Sequence, residues 1–133
     1  MTEIVVEVRL KDGSVQLLRT LLDTGTSDTM LLHKFIEPGR ISKYKGKTTK
    51  WTALGGTYLT KIRALMEFRL PKFSLNKKIQ WVCHVDENTD PDLAQYNMII
   101  GANLMTKLGI DLLYSDQLMV WEDNEVPMNH LAS

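Results

Sequence analysis

Short runs of alternating apolar and polar residues, each closed by a turn signal, recur along this chain and restrict it to a β-fold. Ile4, Val6, Val8 and Leu10 alternate with Val5, Glu7 and Arg9, the period of a half-buried strand. Lys11-Asp12-Gly13-Ser14 follows, and Asp-Gly between two such runs predicts a hairpin. Val15 to Leu22 returns as a second strand and ends at Asp23-Thr24-Gly25, where glycine permits a sharp turn. Thr29 to Leu32 is a further short apolar strand, after which the pattern weakens from Lys34 to Lys50 around a Pro38-Gly39 turn. Trp51 to Leu59 reads as a hairpin with Gly55-Gly56 at its tip. Arg63 to Leu70 and Ile79 to Val85 are the next strands. Asp86 to Leu93 is polar and contains Pro91. Tyr96 to Ile100 is a buried strand ending at Gly101. Ala102 to Leu108 has the composition of a short helix stopped by Gly109. Ile110 to Tyr114 and Leu118 to Trp121 pair as a last hairpin. Residues 124–133 lack periodicity and form a tail, a dimer strand or a linker, outside a domain spanning 1–123. The expectation is all-β with one helix near the end, a closed barrel or a sandwich.

Composition removes several function classes. The chain has 133 residues, enough for one domain with a real core. Sixteen basic and sixteen acidic residues cancel, so no net field marks a nucleic-acid or membrane binder. Lys43, Lys45, Lys47 and Lys50, and the pair Lys77 and Lys78, read as solvated loops and turns. No apolar run approaches the ~20 residues of a membrane helix, and the N-terminus has no basic region leading into a long apolar stretch. A lone cysteine, Cys83, excludes an intramolecular disulfide and suits a reducing, intracellular setting. In a strand, Cys83 and His84 point to opposite faces, and His33 and His130 have no ligand-like spacing, so no metal or other cofactor is expected. Trp51, Trp81 and Trp121 lack an accompanying basic face and read as core or interface residues.

One acidic loop carries chemistry. Alone, Asp23-Thr24-Gly25 is compatible with an ordinary Asx-type turn. With Ile99-Ile100-Gly101 and a helix downstream, two apolar strands and a glycine offer a rigid support for that loop. Leu21-Leu22-Asp23-Thr24-Gly25-Thr26 resembles the active-site segment of retropepsins, the aspartic proteases of retroviruses and LTR retrotransposons. Ile99-Ile100-Gly101-Ala102-Asn103-Leu104 resembles the second family signature, and Leu54-Gly55-Gly56 falls where the family carries its flap. The resemblance spans roughly Glu3 to Trp121. It is nearest to gypsy-type elements, on Leu108-Gly109-Ile110-Asp111, Val120-Trp121-Glu122 and Val126-Pro127-Met128.

The resemblance implies a closed β-barrel with a flap hairpin and one short C-terminal helix. It also implies an endopeptidase needing two carboxylates that share a proton, one activating water while the other polarises the substrate carbonyl. Pepsin-like chains supply two such triplets, and this chain has one, so a homodimer with the site on its two-fold axis is implied. In that reading Asp23 is catalytic, and Thr24, Gly25 and Thr26 support the loop, Thr24 by reaching across the dimer and Thr26 by bonding the outer oxygen of Asp23. Gly25, Ser27, Asp28, Leu54, Gly55, Gly56 and Ile100 contact a polypeptide substrate, while Ile99, Ile100 and Gly101 form the structural signature. Many relatives carry an acid at the position of Ser27 and an arginine at that of Ala102, a pair that braces the dimer. Both are absent here together, so a weak dimer is expected. The implied natural substrate is the element's own Gag-Pol polyprotein, cleaved in the cytoplasm or in virus-like particles. The rival is a non-catalytic dimerisation or peptide-binding module of the same fold.

Overall fold

The alternation of β1 (Thr2–Arg9) turns Ile4, Val6 and Val8 inward, and the polar turn after it reverses the chain into β2 (Val15–Leu22). Gly13 supplies the left-handed conformation of that turn, at φ 85°. Asp12 accepts from the backbone N–H and the hydroxyl of Ser14, at 2.9 and 2.6 Å. The computed structural model describes residues 2–32, 35–36, 40–41, 43–53, 56–86 and 96–130.

The remaining elements are β3 (Met30–Leu32), β4 (Lys43–Ala53), β5 (Gly56–Arg69), β6 (Ile79–Asp86), β7 (Met98–Ile100), α1 (Ala102–Leu108), β8 (Asp111–Leu113), β9 (Leu118–Trp121), β10 (Asn124–Pro127) and β11 (Asn129–His130). Strands β1, β2, β7, β3, β6 and β5 follow one another in space, and β5 pairs back onto β1, closing a six-stranded barrel. Closure leaves no edge within that ring. Two of its pairings are parallel, β2 with β7 and β3 with β6. β4 lies outside the ring on β5, β11 lies on β1, and β8, β9 and β10 form a separate antiparallel sheet. The expected all-β barrel with one short helix is the fold observed.

Inward side chains from every wall meet in one core that includes Val6, Leu18, Leu22, Leu31, Met98 and Leu104. Trp121 belongs to it at 2 % exposure. Its indole N–H donates to Leu108 O at 3.0 Å, and its ring meets Phe73 edge-on at 5.9 Å. Trp81 packs against the same core, while the side chain of Trp51 lies outside the described residues. Cys83 is fully enclosed, and burial pushes its thiol up to about 12, which leaves it inert as a nucleophile.

Three segments differ from the sequence expectation. The weakly patterned stretch before Trp51 is strand from Lys43 onward, paired with β5 and irregular between Lys45 and Thr49. An edge strand outside the closed ring needs no inward apolar face, so alternation is a poor guide to it. The hairpin arm at Thr57–Leu59 and the strand at Arg63–Leu70 are one continuous β5. The segment after residue 123 joins the domain: β10 pairs with β9, β11 pairs with β1, and Val126 and Met128 enter the core.

Candidate active site

Strand β2 delivers Asp23 to the barrel rim. The Asp23 N–H donates to Ile100 O at 3.0 Å, carrying the β2–β7 ladder one residue past the Leu22–Ile100 pair. The loop then folds back on its own carboxylate. Oδ1 accepts from the Gly25 N–H at 2.9 Å, Oδ2 accepts from the Thr26 hydroxyl at 2.8 Å, and the Thr26 N–H returns to Asp23 O at 3.2 Å. Both carboxylate oxygens are therefore aimed by the loop, and the Thr26 bond is the one expected from the sequence. A Cβ on Gly25 would stand 3.1 Å from Oδ1, tight enough to favour glycine there. Thr26 is buried, whereas Thr24, Gly25 and Ser27 are exposed beside a half-buried Asp23.

The loop is held from behind by α1. Every helix begins with backbone N–H groups that lack intrahelical acceptors. Here Ala102 N–H donates to Thr26 O at 2.8 Å and Asn103 N–H to Ser27 O at 3.0 Å, so the loop's carbonyls serve that end of the helix. Gly101 fits between them without room for a side chain. A Cβ would lie 2.6 Å from Thr26 O and closer still to the Asp28 carbonyl oxygen.

A side-chain network that the sequence reading did not assign completes the support. The Thr29 hydroxyl accepts from Gly101 N–H at 3.2 Å and donates to Asn103 Oδ1 at 3.0 Å. Asn103 Nδ2 donates to Asp28 Oδ1 at 3.0 Å, and Asn103 Oδ1 also accepts from Leu104 N–H at 2.7 Å. Thr29 and Asn103 lie 74 positions apart, and the available sequence signal was only an amide just past the motif glycine. Asn103→Ala is expected to strand Asp28 and Thr29, costing about 1–3 kcal/mol in a denaturant titration.

Asp28, assigned by sequence to substrate, spends one oxygen on Asn103 and receives the Ser27 hydroxyl at 3.3 Å on the other. Its charge works to raise the pKa of His84, but burial and Arg63 dominate and hold that imidazole below its ordinary value. Neither Ser27 nor Ala102 carries a charge; the Ser27 carbonyl accepts from Asn103 N–H, and the Ala102 N–H donates to Thr26 O. Ile100 requires a correction. Its side chain is 0 % exposed in the barrel core and cannot line a substrate path, although its carbonyl supports Asp23. The alternation puts its neighbour Ile99 on the outer face instead, in a cluster with Leu21 and Met30. The β4–β5 hairpin is present, with Ala53 paired to Gly56, while Leu54 and Gly55 lie outside the described residues. Among the described residues no group of three His, Cys, Asp or Glu side chains is placed to hold a metal ion.

A six-stranded closed barrel, an Asp-Thr-Gly loop at its rim and a glycine wedged between loop and helix together define the retropepsin fold. The fold matches the retroviral protease-like domain of Ddi1 from Leishmania major with a TM-score of 0.62 and 15 % identity, over 98 % of this chain and 96 % of that one. It matches the EIAV protease complexed with the inhibitor HBY-793 with a TM-score of 0.54 and 21 % identity, over 84 % and 90 %. No protein-family model and no curated protein matches the sequence.

Proposed function

We propose that this chain is one subunit of an aspartic endopeptidase that acts as a homodimer, with one Asp23 from each copy. The observation that carries the reading is the Asp23 carboxylate of a single Asp-Thr-Gly triplet, both oxygens aimed by hydrogen bonds, on a partly exposed loop of a retropepsin-like barrel. A second copy related by a two-fold axis supplies the missing carboxylate. One carboxylate takes a proton from water as it attacks the scissile carbonyl, while the other, protonated, donates to the carbonyl oxygen. Thr24 reaches across the dimer, Gly25 and Asp28 meet the substrate backbone, and Leu54, Gly55 and Gly56 close over it as a flap. The substrate binds as an extended strand. By resemblance it is a Gag-Pol polyprotein of a gypsy-type element, processed in the cytoplasm or in virus-like particles.

Ser27 and Ala102 leave the dimer without an ion pair at that position, which supports a weak, concentration-dependent assembly. The same observation favours a second reading, a non-catalytic dimerisation or peptide-binding module. Peptide-library cleavage at mildly acidic pH separates them. For the enzyme, cleavage per subunit rises with protein concentration until the dimer saturates, in step with the dimer fraction from sedimentation. A saturated dimer that cleaves nothing establishes the module.

A further inference from the structure

Among the described residues eight large apolar side chains are exposed, and five of them, Val5, Val15, Leu17, Leu65 and Val82, lie on one outer surface of the barrel. Strand register places that surface. Arg9 pairs with Val15 on one side and Glu67 on the other, Glu7 pairs with Leu17 and Arg69, and Leu65 pairs with Val82. All of these belong to the outward set of β2, β1, β5 and β6, while Val6 and Val8 between them face the core. Two clefts indent the surface, with Arg9 and Glu67 as their common wall. One, of about 170 Å³, is bounded by Val15 and Lys78, and the other, of about 250 Å³, by Lys11, Leu65 and Gln80. The surface lies toward the end of β2 remote from the active-site loop. Val15 and Asp23 are eight positions apart, about 26 Å along an extended strand.

The charges at the centre of this surface alternate in both directions. Glu7 and Arg9 follow one another on β1, as Glu67 and Arg69 do on β5. Across the strands Glu7 faces Arg69 and Arg9 faces Glu67, the latter pair at 3.6 Å. Such a checkerboard is complementary to itself. A two-fold axis running along the strands between β1 and β5 lays Arg9 against the partner's Glu67 and Glu7 against the partner's Arg69, so no like charges are opposed. The same rotation lays β2, with Val15 and Leu17, over the partner's β6, where Val82 is exposed. An acidic or a basic peptide would meet repulsion from half of these four charges, whereas a second copy meets none.

We propose that the outer surface of β2, β1, β5 and β6 is an interaction surface for a second copy of this chain, an isologous interface separate from the two-fold through Asp23. It goes beyond the proteolytic reading and does not depend on it. The apolar flanks supply buried area, while the central charges set register and orientation more than affinity. Each charge must shed water when the surface is covered, so the association is weak and falls as salt rises.

The test is sedimentation velocity of the full chain over a range of protein concentration, beside Arg9→Glu, Glu67→Arg, the double variant and Leu17→Asp. The wild type is expected to show an association step that each single variant weakens by about tenfold or more. An equimolar mixture of Arg9→Glu and Glu67→Arg should regain the step, because the reversed charge of one copy then meets the reversed charge of the other. The double variant should regain it alone. Leu17→Asp, at a 63 % exposed position outside the ion pairs, carries the test where circular dichroism shows a reversal variant unfolded. A wild type that stays monomeric at every soluble concentration overturns the proposal. So does a step that none of the variants changes, which belongs to the Asp23 loops or another face, and so does a mixture no stronger than its components. Peptide cleavage has no part in the readout, so failure here and failure of the proteolytic reading are separately visible.

Discussion

Asp23→Asn is expected to leave the fold unchanged and to reduce peptide cleavage by roughly a thousandfold or more. An asparagine amide is nearly isosteric with the carboxylate. Its oxygen can still accept from the Gly25 N–H, and its nitrogen can donate to the Thr26 hydroxyl, so both loop bonds survive. What disappears is the ability to take a proton from water, which is why stability and activity should separate. Mixing gives a sharper result. If both carboxylates of a dimer are needed, randomly re-associated equal amounts of wild type and variant retain about a quarter of the activity of an all-wild-type sample at the same total concentration. Half would remain if each subunit worked alone. Thermal melts that coincide for the two proteins, together with the mixing curve, check the expectation.

Gly101→Ala is expected to have the largest effect on stability, about 3 kcal/mol or more, with loss of soluble folded protein at physiological temperature. The backbone conformation at Gly101 is ordinary for any residue, at φ −88°, so the requirement comes from space. The atoms a methyl group would meet are the carbonyls of Thr26 and Asp28, which are backbone and cannot swing aside. Moving them would also pull Thr26 O from the Ala102 N–H and disturb the loop that aims Asp23. Gly109→Ala is the fitting comparison. Nothing lies within 4 Å of a Cβ there, and the cost is the left-handed backbone at φ 76° alone. That substitution should cost about 1 kcal/mol and leave catalysis in place. A chemical-denaturation series on both variants checks the difference; equal losses would refute a steric origin at Gly101.

The site was legible in part because its signals are local. Asp23-Thr24-Gly25-Thr26 contains within four residues the acid, the turn glycine and the hydroxyl that aims Oδ2. The division between Ile99 and Ile100 was harder. Period-two alternation says that adjacent residues face opposite ways, but both are apolar, and only closure of the barrel decides which one is inside. Asn103 and Asp28, 75 positions apart, carry no mutual signal in the chain and meet only because α1 is docked behind the loop.

By itself, the sequence determined those features whose energetics are local. The alternation of β1 and β2, the Asp12-Gly13 turn and the stop of α1 at Gly109 each depend on neighbours a few residues away. With one Asp-Thr-Gly triplet in the chain, the family resemblance likewise led to the proposal of a two-copy site. Tertiary structure alone decided the features that depend on long-range pairing. It made strands of the lysine-rich β4 and of β10 and β11, because each takes its ladder hydrogen bonds from a neighbouring strand rather than from any local pattern. It also placed Tyr96 over the Leu21–Ile99–Met30 row, since which face of a closed barrel is covered is set by packing that no local pattern encodes.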